Sequence, residues 1–178
     1  MKTMVIGDTG VGKTSYLLKV AANESFVGSR VVMYTTEATK YVVNLREKLN
    51  LFYNEFHNVT IVSEISSIVD VREDFLHRHE GFFNTVILDG AQYLMDICNA
   101  NECLEKLAPF MNMPHTKFIF SLTNRKAVVE RAEDVPGTTY LSAYCDRIIS
   151  LFNKDDALHA TLLKDRFNFD TEFPVSLI

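Results

Sequence analysis

A glycine-rich stretch near the amino terminus has the residue types and the spacing that phosphate binding requires. It reads Gly7-Asp8-Thr9-Gly10-Val11-Gly12-Lys13-Thr14-Ser15 and follows the apolar run Met4-Val5-Ile6. Glycines allow backbone geometry that residues with a β-carbon resist, so successive N–H groups can point at phosphate oxygens. The residues after Ser15 continue at helical spacing, and a helix start adds unpaired N–H groups and a positive dipole end. The stretch therefore predicts a phosphate loop for a nucleoside triphosphate.

Two side chains of the loop and one acidic residue farther along have distinct predicted roles. Lys13 supplies positive charge for the β- and γ-phosphates, and the hydroxyl of Thr14 suits Mg²⁺. Asp89 ends the apolar run Val86-Ile87-Leu88, which places a carboxylate at the end of a buried strand, beside the phosphates. ATP and Mg²⁺ are thus the predicted cofactors, with Thr14 and Asp89 at the metal. A helix-capping role is the alternative for Asp89.

A second carboxylate is the candidate for orienting the attacking water. Gly90 follows Asp89, where many ATPases carry a glutamate, so the group must come from elsewhere. Glu37 lies just past the predicted second strand and could align water with the γ-phosphate, because phosphoryl transfer depends mainly on positioning and charge stabilisation. The alternative for Glu37 is a first-turn glutamate favoured by the helix dipole.

Composition bounds the class of protein. The chain has 178 residues, 47% hydrophobic and 23% charged, which predicts one domain over residues 1–178 with a proper core. A net charge of −5 gives no overall basic field for nucleic acid, although a local basic pore remains compatible with it. Three cysteines without a C-x-x-C pair predict a reducing, cytoplasmic compartment. With no long apolar run and no signal peptide, we expect no membrane contact and a fold that starts at the first residue.

Strand patterns alternate with helical patterns and position these residues. They predict an α/β fold: a mostly parallel sheet with helices on both faces and a C-terminal antiparallel hairpin. The predicted strands are about 2–7, 30–35, 59–62, 85–88, 117–121 and 147–152, with a final antiparallel pair at 157–164 and 173–178. The predicted helices follow the phosphate loop and cover about 38–56, 66–79 and 91–110, the last closed by Pro109 and Pro114, while 122–142 is predicted to be largely loop.

The phosphate loop, the two carboxylates and a fifth strand resemble the RecA-like ATPases, and within them the DnaB-type hexameric replicative helicases. The run from Phe118 to Arg125 is similar to the strand and polar switch that senses γ-phosphate in that family. Leu122 stands where the family has a glutamine. The resemblance therefore leaves Ser121, Thr123 and Asn124 as the sensor candidates.

A C-terminal segment carries a second part of this resemblance. Thr161-Leu162-Leu163-Lys164-Asp165-Arg166 is similar to the family's Lys-Asn-Arg hairpin. Lys164 and Arg166 are two residues apart on a strand, so they face the same way. In the family such a pair reaches across a subunit boundary, where the arginine stabilises charge on the neighbour's γ-phosphate. The resemblance implies a homo-oligomeric, hexameric ring; the alternative is a solvated pair on an edge strand.

Rings of this family translocate nucleic acid through central loops, and the segment Asn124 to Tyr140 corresponds to one of them. Its basic residues could contact the phosphates of single-stranded nucleic acid, and they are Arg125, Lys126 and Arg131. Its acidic residues would repel them, and they are Glu130, Glu133 and Asp134. The family also braces its ring with an N-terminal domain and a linker helix, so an accessory replication or packaging protein is a further expected partner.

Three other functional classes fit part of the sequence. A Rab-like small GTPase is suggested by Asn153-Lys154-Asp155-Asp156, although Asp89-Gly90-Ala91-Gln92 lacks the glycine of such a switch. A type II thymidine kinase is suggested by Leu88-Asp89-Gly90-Ala91-Gln92-Tyr93, although its zinc-binding cysteine pairs and its lasso are not visible. An ATP-gated assembly component that pushes on a protein partner is the third class.

Overall fold

One eight-stranded sheet organises the part of the chain that the computed structural model describes, which is residues 1–51, 56–78, 82–95, 100–123, 139–166 and 172–174. The strands are β1 Lys2–Gly7, β2 Val31–Thr35, β3 Val59–Val62, β4 Thr85–Asp89, β5 Lys117–Thr123, β6 Arg147–Lys154, β7 Ala157–Asp165 and β8 Glu172–Pro174. They lie in the order β3-β2-β4-β5-β1-β6-β7-β8.

The first six strands in the chain are parallel, and the last two add an antiparallel edge. β1 lies between β5 and β6, and β4 lies between β2 and β5. β7 pairs antiparallel with both β6 and β8, as the sequence predicts for the C-terminal strands. The carboxyl ends of β1, β2, β4 and β5 therefore meet at one edge of the sheet.

Six helices in the described residues cover the two faces of the sheet. They are α1 Lys13–Phe26, α2 Thr39–Lys48, α3 Ile68–Arg78, α4 Ala91–Met95, α5 Ala100–Met111 and α6 Thr139–Tyr144. Side chains alternate along β1, so Met4 and Ile6 enter the cluster beneath α3 and α5, while Val5 enters the cluster beneath α1 and α2. None of the helices in these ranges is long and apolar enough to cross a membrane.

Helix α2 ends at Lys48, eight residues before the predicted end at Phe56. Asn50 adopts a left-handed φ of 53°, and its N–H donates to the carbonyl of Glu47. The N–H of Leu51 donates to the carbonyl of Arg46, which completes a Schellman motif. The apolar residues after Asn50 continue the helical pattern in the sequence, but the backbone has already turned away.

Two further boundaries differ from the prediction. Pro109 lies inside α5, which continues to Met111 because Phe110 and Met111 are buried in the core. The predicted loop over 122–142 also contains structure at both ends, since Leu122 extends β5 and Leu141 lies on α6. Both leucines are buried, at 3% and 1% exposure, so core packing orders residues that the polar composition assigned to a loop.

Candidate active site

The phosphate loop connects the end of β1 to the start of α1 through two glycines in left-handed conformation. Gly10 has a φ of 78° and Gly12, the N-cap of α1, has a φ of 104°. The N–H of Val11 donates to the carbonyl of Asp8, and the Val11 side chain packs into the core beneath α1. Val11 therefore serves the site with its backbone while its side chain anchors the loop.

Gly7 is required for space rather than for backbone conformation. A β-carbon at this position would lie 2.8 Å from Cγ1 of Val11 and 2.9 Å from the carbonyl oxygen of Leu151. These distances are too short for any real side chain. The loop thus packs directly against β6, and the third glycine of the predicted motif has a structural reason of its own.

The ammonium group of Lys13 lies within the loop. Its Nζ donates to the carbonyl of Gly7 at 2.8 Å and to the carbonyl of Asp8 at 2.7 Å. Burial lowers the pKa of Lys13 below its usual 10.5, and the negative charges of Asp89 and Asp8 oppose that shift. The group is thus positioned at the loop but incompletely neutralised, as a site for an anionic ligand should be.

Asp89 ends β4 and accepts hydrogen bonds from three hydroxyl groups. Thr14 donates to Oδ2 at 2.7 Å, and Thr35 donates to the same oxygen at 3.1 Å. Ser121 donates to Oδ1 at 2.9 Å. The carboxylate is only 4% exposed, so these donors supply the hydrogen bonds that water would otherwise provide.

The predicted metal pair, Thr14 and Asp89, is therefore brought into direct contact. A hydroxyl and a carboxylate are oxygen ligands of the kind that Mg²⁺ prefers. Within the described residues no group of three or more His, Cys, Asp or Glu side chains could hold a metal. The donor set instead fits the usual Mg²⁺ arrangement at phosphate sites, in which one or two protein ligands are completed by phosphate and water.

Glu37 lies directly after β2 and is linked to Asp89 through one hydroxyl. Its N–H donates to Oγ1 of Thr35 at 3.1 Å, and that hydroxyl donates to Asp89. Its carbonyl accepts from the N–H of Glu64 at 3.1 Å. The backbone of Glu37 is thus fixed from two sides. Sequence reasoning identified Glu37 but missed Thr35, which is fully buried between the two carboxylates.

These groups share one cleft of about 230 Å³ at the carboxyl edge of the sheet. The loop residues that line it are Thr9, Gly10, Gly12, Lys13, Thr14 and Ser15. Glu37, Asp89 and Thr123 line it from the neighbouring strands. The structure therefore places the predicted phosphate, metal and water-orienting residues around the same space.

The three sensor candidates have different positions. Ser121 is fully buried, where it donates to Asp89 and accepts from the N–H of Gly90 at 2.8 Å. Thr123 is half-buried and lines the cleft, hydrogen-bonded to Gln92, whereas Asn124 lies outside the described residues. Sequence reasoning assigned no role to Gln92, and the available signal is its place one helical turn after Asp89.

Lys164 and Arg166 lie at the opposite edge of the sheet from the cleft. Register pairs Asp165 with Arg147 at the start of β6, and Arg147 with Thr3 at the start of β1. The cleft lies beyond the other end of β1. Four residues of strand separate Thr3 from Gly7, a distance of about 13 Å at the usual rise.

Both basic side chains reach the carboxyl end of α6, as their spacing on the strand predicts. Lys164 Nζ donates to the carbonyl of Ser142 at 2.5 Å. Arg166 donates to the carbonyl of Ala143 at 3.1 Å and to Oδ1 of Asp146 at 3.2 Å. Cations at this end are favoured by the helix dipole. Half of the Arg166 side chain, 52%, remains exposed.

Asp165, between these two cations, is buried and serves the sheet. Its Oδ2 lies 2.9 Å from an amino group of Arg147, and its side chain is 1% exposed. The pair joins β6 to β7 next to the two cations. The proposed nucleic-acid contacts, Arg125, Lys126 and Arg131, lie outside the described residues.

The Asn153–Asp156 segment, which spells a guanine-selecting pattern, forms the turn between β6 and β7. Asp155 and Asp156 both have positive φ, 52° and 61°, as a two-residue hairpin turn requires. Lys154 pairs with Ala157 across that turn. The local geometry is therefore accounted for by the hairpin.

Comparisons with known proteins establish the fold. No protein-family model and no curated protein matches the sequence. The structure is similar to a solved structure whose title describes an ATPase domain, with a TM-score of 0.75 and 14% identity over 97% of this chain and 80% of that chain. The predicted RecA-like P-loop fold is thus confirmed, and with it the resemblance at the level of fold. The comparison favours neither the nucleoside kinase nor the small GTPase.

Proposed function

We propose that this chain is an ATP-hydrolysing ring motor of the RecA/DnaB-like class that translocates nucleic acid, as a minimal helicase or packaging motor. The observation that carries the proposal is the contact between Thr14 and Asp89 at 2.7 Å, beside the phosphate loop. The same cleft contains Glu37. A fold shared with an ATPase domain supports the interpretation of these groups as a hydrolytic site.

Each group has a role that follows from its position. The backbone N–H groups of residues 8–13 and the ammonium of Lys13 hold the phosphates. Thr14 and Asp89 would hold Mg²⁺, which when bound neutralises charge on the phosphate oxygens. Glu37 orients water toward the γ-phosphate, and its fixed backbone limits the positions that its carboxylate can take.

The positions of Lys164 and Arg166 support a site completed by a neighbouring copy. Both lie at the amino edge of the parallel strands, so neither reaches the cleft of its own chain. An exposed guanidinium could instead approach the phosphates of an adjacent subunit. An arginine in that role is worth about 10³–10⁵ in turnover, so an isolated copy should hydrolyse ATP slowly.

The translocated polymer is the least constrained part of the proposal. Arg125, Lys126 and Arg131 are proposed as contacts with the phosphates of a single strand, which would make binding salt-dependent. An accessory replication or packaging protein is proposed as a second partner. The net charge of −5 restricts any attraction for nucleic acid to such a local cluster.

ATP turnover with and without single-stranded DNA tests the proposal. We expect turnover that DNA stimulates, and we expect Glu37→Gln to bind ATP while losing at least about 10²-fold in kcat, since a positioned base contributes about 10²–10⁴. Glu47→Gln, on the exposed face of α2, is the matched control and should behave as wild type. A Glu37→Gln protein as active as wild type would remove Glu37 from the mechanism, and absence of turnover under all conditions would refute the ATPase itself.

A further inference from the structure

Gln92 and Thr123 exchange two hydrogen bonds at the border of the cleft. Nε2 of Gln92 donates to Oγ1 of Thr123 at 2.6 Å. The backbone N–H of Thr123 donates to Oε1 of Gln92 at 3.1 Å. The pair joins the first turn of α4, which follows Asp89, to the last residue of β5. Neither bond is needed for the phosphate, metal or water-orienting roles of the other cleft residues.

The polarity of this pair is fixed by its chemistry. A backbone N–H can only donate, so the amide oxygen of Gln92 must face it, and the amide nitrogen must then face the hydroxyl. The Thr123 hydroxyl consequently acts as an acceptor toward Gln92. Its own hydrogen is left to donate elsewhere. Reversing the amide would place two donors against each other.

The hydroxyl lies where a donor would meet bound phosphate. In the register of the sheet Thr123 pairs with Gly7, the first residue of the phosphate loop. Thr123 and Gln92 both line the cleft, together with Lys13 and Asp89. Both are half-buried, so a donor there is partly shielded from competing water.

We propose that Gln92 is a positioning residue that aims the Thr123 hydroxyl at the terminal phosphate of the bound nucleotide. The inference rests on the proposed function and deepens it, because it assigns the recognition of the terminal phosphate to two residues acting as one unit. Loss of either residue should remove the same donor. The two losses should therefore not add.

The experiment compares affinity for ADP with affinity for ADP plus beryllium fluoride, which occupies the place of the terminal phosphate. Competition against a fluorescent ADP analogue gives both values for wild type, Gln92→Met, Thr123→Val and the double variant. We expect each single variant to keep its ADP affinity and to lose about 10²-fold of the fluoride-dependent tightening, the scale for one preorganised donor. The double variant should lose no more than either single one.

Two further variants separate this role from a structural one. Thr123→Ser keeps the hydroxyl and should restore most of the tightening. Thr116→Val makes the same change as Thr123→Val just before the other end of β5, away from the cleft, and should bind as wild type.

Equal tightening in Gln92→Met and wild type, or additive losses in the double variant, would overturn the inference. Either result, in a wild type that still hydrolyses ATP, leaves the proposed function standing. A wild type that neither binds ADP nor hydrolyses ATP would instead refute the proposed function.

Discussion

The hydroxyl of Thr35 is the single atom that joins the two carboxylates of the proposed reaction. It donates to Asp89 and accepts from the N–H of Glu37, at 3.1 Å in both cases. Valine has the same shape but can do neither. It would leave the N–H of Glu37 without this partner and take one of three donors from Asp89.

We therefore expect Thr35→Val to lower kcat by at least about 10-fold, since misplacement of a positioned group is costly, while ATP binding persists. The free energy of unfolding should fall by about 1–3 kcal/mol, the cost of unsatisfied buried polar groups. Steady-state kinetics and urea denaturation measure the two effects. Thr60→Val, exposed on β3, is the control, and a variant indistinguishable from it would contradict the linking role.

The lowered pKa of Lys13 makes nucleotide binding depend on pH. Burial destabilises the charged form in the empty loop, whereas phosphate oxygens stabilise it, so binding raises the pKa. As the pH rises above neutral, the empty loop loses its proton earlier than an ordinary lysine with a pKa of 10.5 would. The affinity for ATP should then fall, and binding should take up protons.

Titration calorimetry in two buffers of different ionisation enthalpy, repeated at increasing pH, measures that uptake. Lys13→Met should abolish it together with most of the affinity, whereas Lys48→Met, exposed at the end of α2, should leave both unchanged. An affinity that is constant across this range would show that the Lys13 charge does not contribute.

At the residue scale the sequence predicted those groups that are defined by local spacing. Lys13 and Thr14 belong to a contiguous motif, and Asp89 follows an apolar run, so each could be found without the fold. Thr35 and Gln92 could not, because their partners are 54 and 31 residues away and meet them only through the packing of strands.

The loop between β1 and α1 depends on its glycines for two different physical reasons, and substitution can separate them. A β-carbon at Gly7 meets the fixed backbone oxygen of Leu151 at 2.9 Å, whereas nothing lies within 4 Å of one at Gly10. The cost at Gly10 is only the left-handed conformation, with its φ of 78°.

We expect Gly7→Ala to lower the free energy of unfolding by about 3 kcal/mol, the upper end for overpacking, because the backbone cannot move aside. Gly10→Ala should cost about 1 kcal/mol. Thermal and chemical denaturation provide both values, and nucleotide affinity should fall more for Gly7→Ala because the loop must shift away from β6. Equal losses in the two variants would contradict the packing described for Gly7.

At the element scale, strands were predicted more accurately than helix ends. Each parallel strand is a short, continuous apolar run, and its bounds follow from the run itself. The end of α2 instead depends on the backbone of Asn50, while the apolar pattern continues past it. Leu122 and Leu141 show the converse case, in which burial orders residues within a polar stretch.

At the scale of the whole molecule, the proposed site is shared between copies, and mixing tests that sharing. An Arg166→Ala copy retains its own cleft but offers no arginine to its neighbour. We expect wild-type activity to fall more steeply than by dilution as this variant is added, because each variant disables a site on an adjacent wild-type copy. Turnover measured across mixing ratios gives the curve.

Lys154→Ala provides a matched control for the mixing experiment, since it removes an exposed cation at the hairpin turn, at the other end of β7. Its addition should leave wild-type turnover unchanged. A linear decline with Arg166→Ala, or an Arg166→Ala protein as fast as wild type, would mean that this arginine serves its own chain only. Its contacts with Asp146 and Ala143 would then be its whole function.

The sheet order itself could not be read from the sequence. Alternating patterns predict a parallel sheet but not that β1 lies between β5 and β6, which places Thr123 beside Gly7. Nor do they predict that Arg166 and the phosphate loop lie at opposite edges. Both facts come from long-range strand pairing, which local composition does not encode.

That separation of Arg166 from its own cleft has a numerical consequence for the proposed motor. If each copy lends its arginine to the next, an open row of copies always leaves one member at its end unserved. A closed circle serves every member. Specific activity should therefore climb gradually as short rows lengthen and level off only on closure, so the activity curve against protein concentration would itself report when the circle forms.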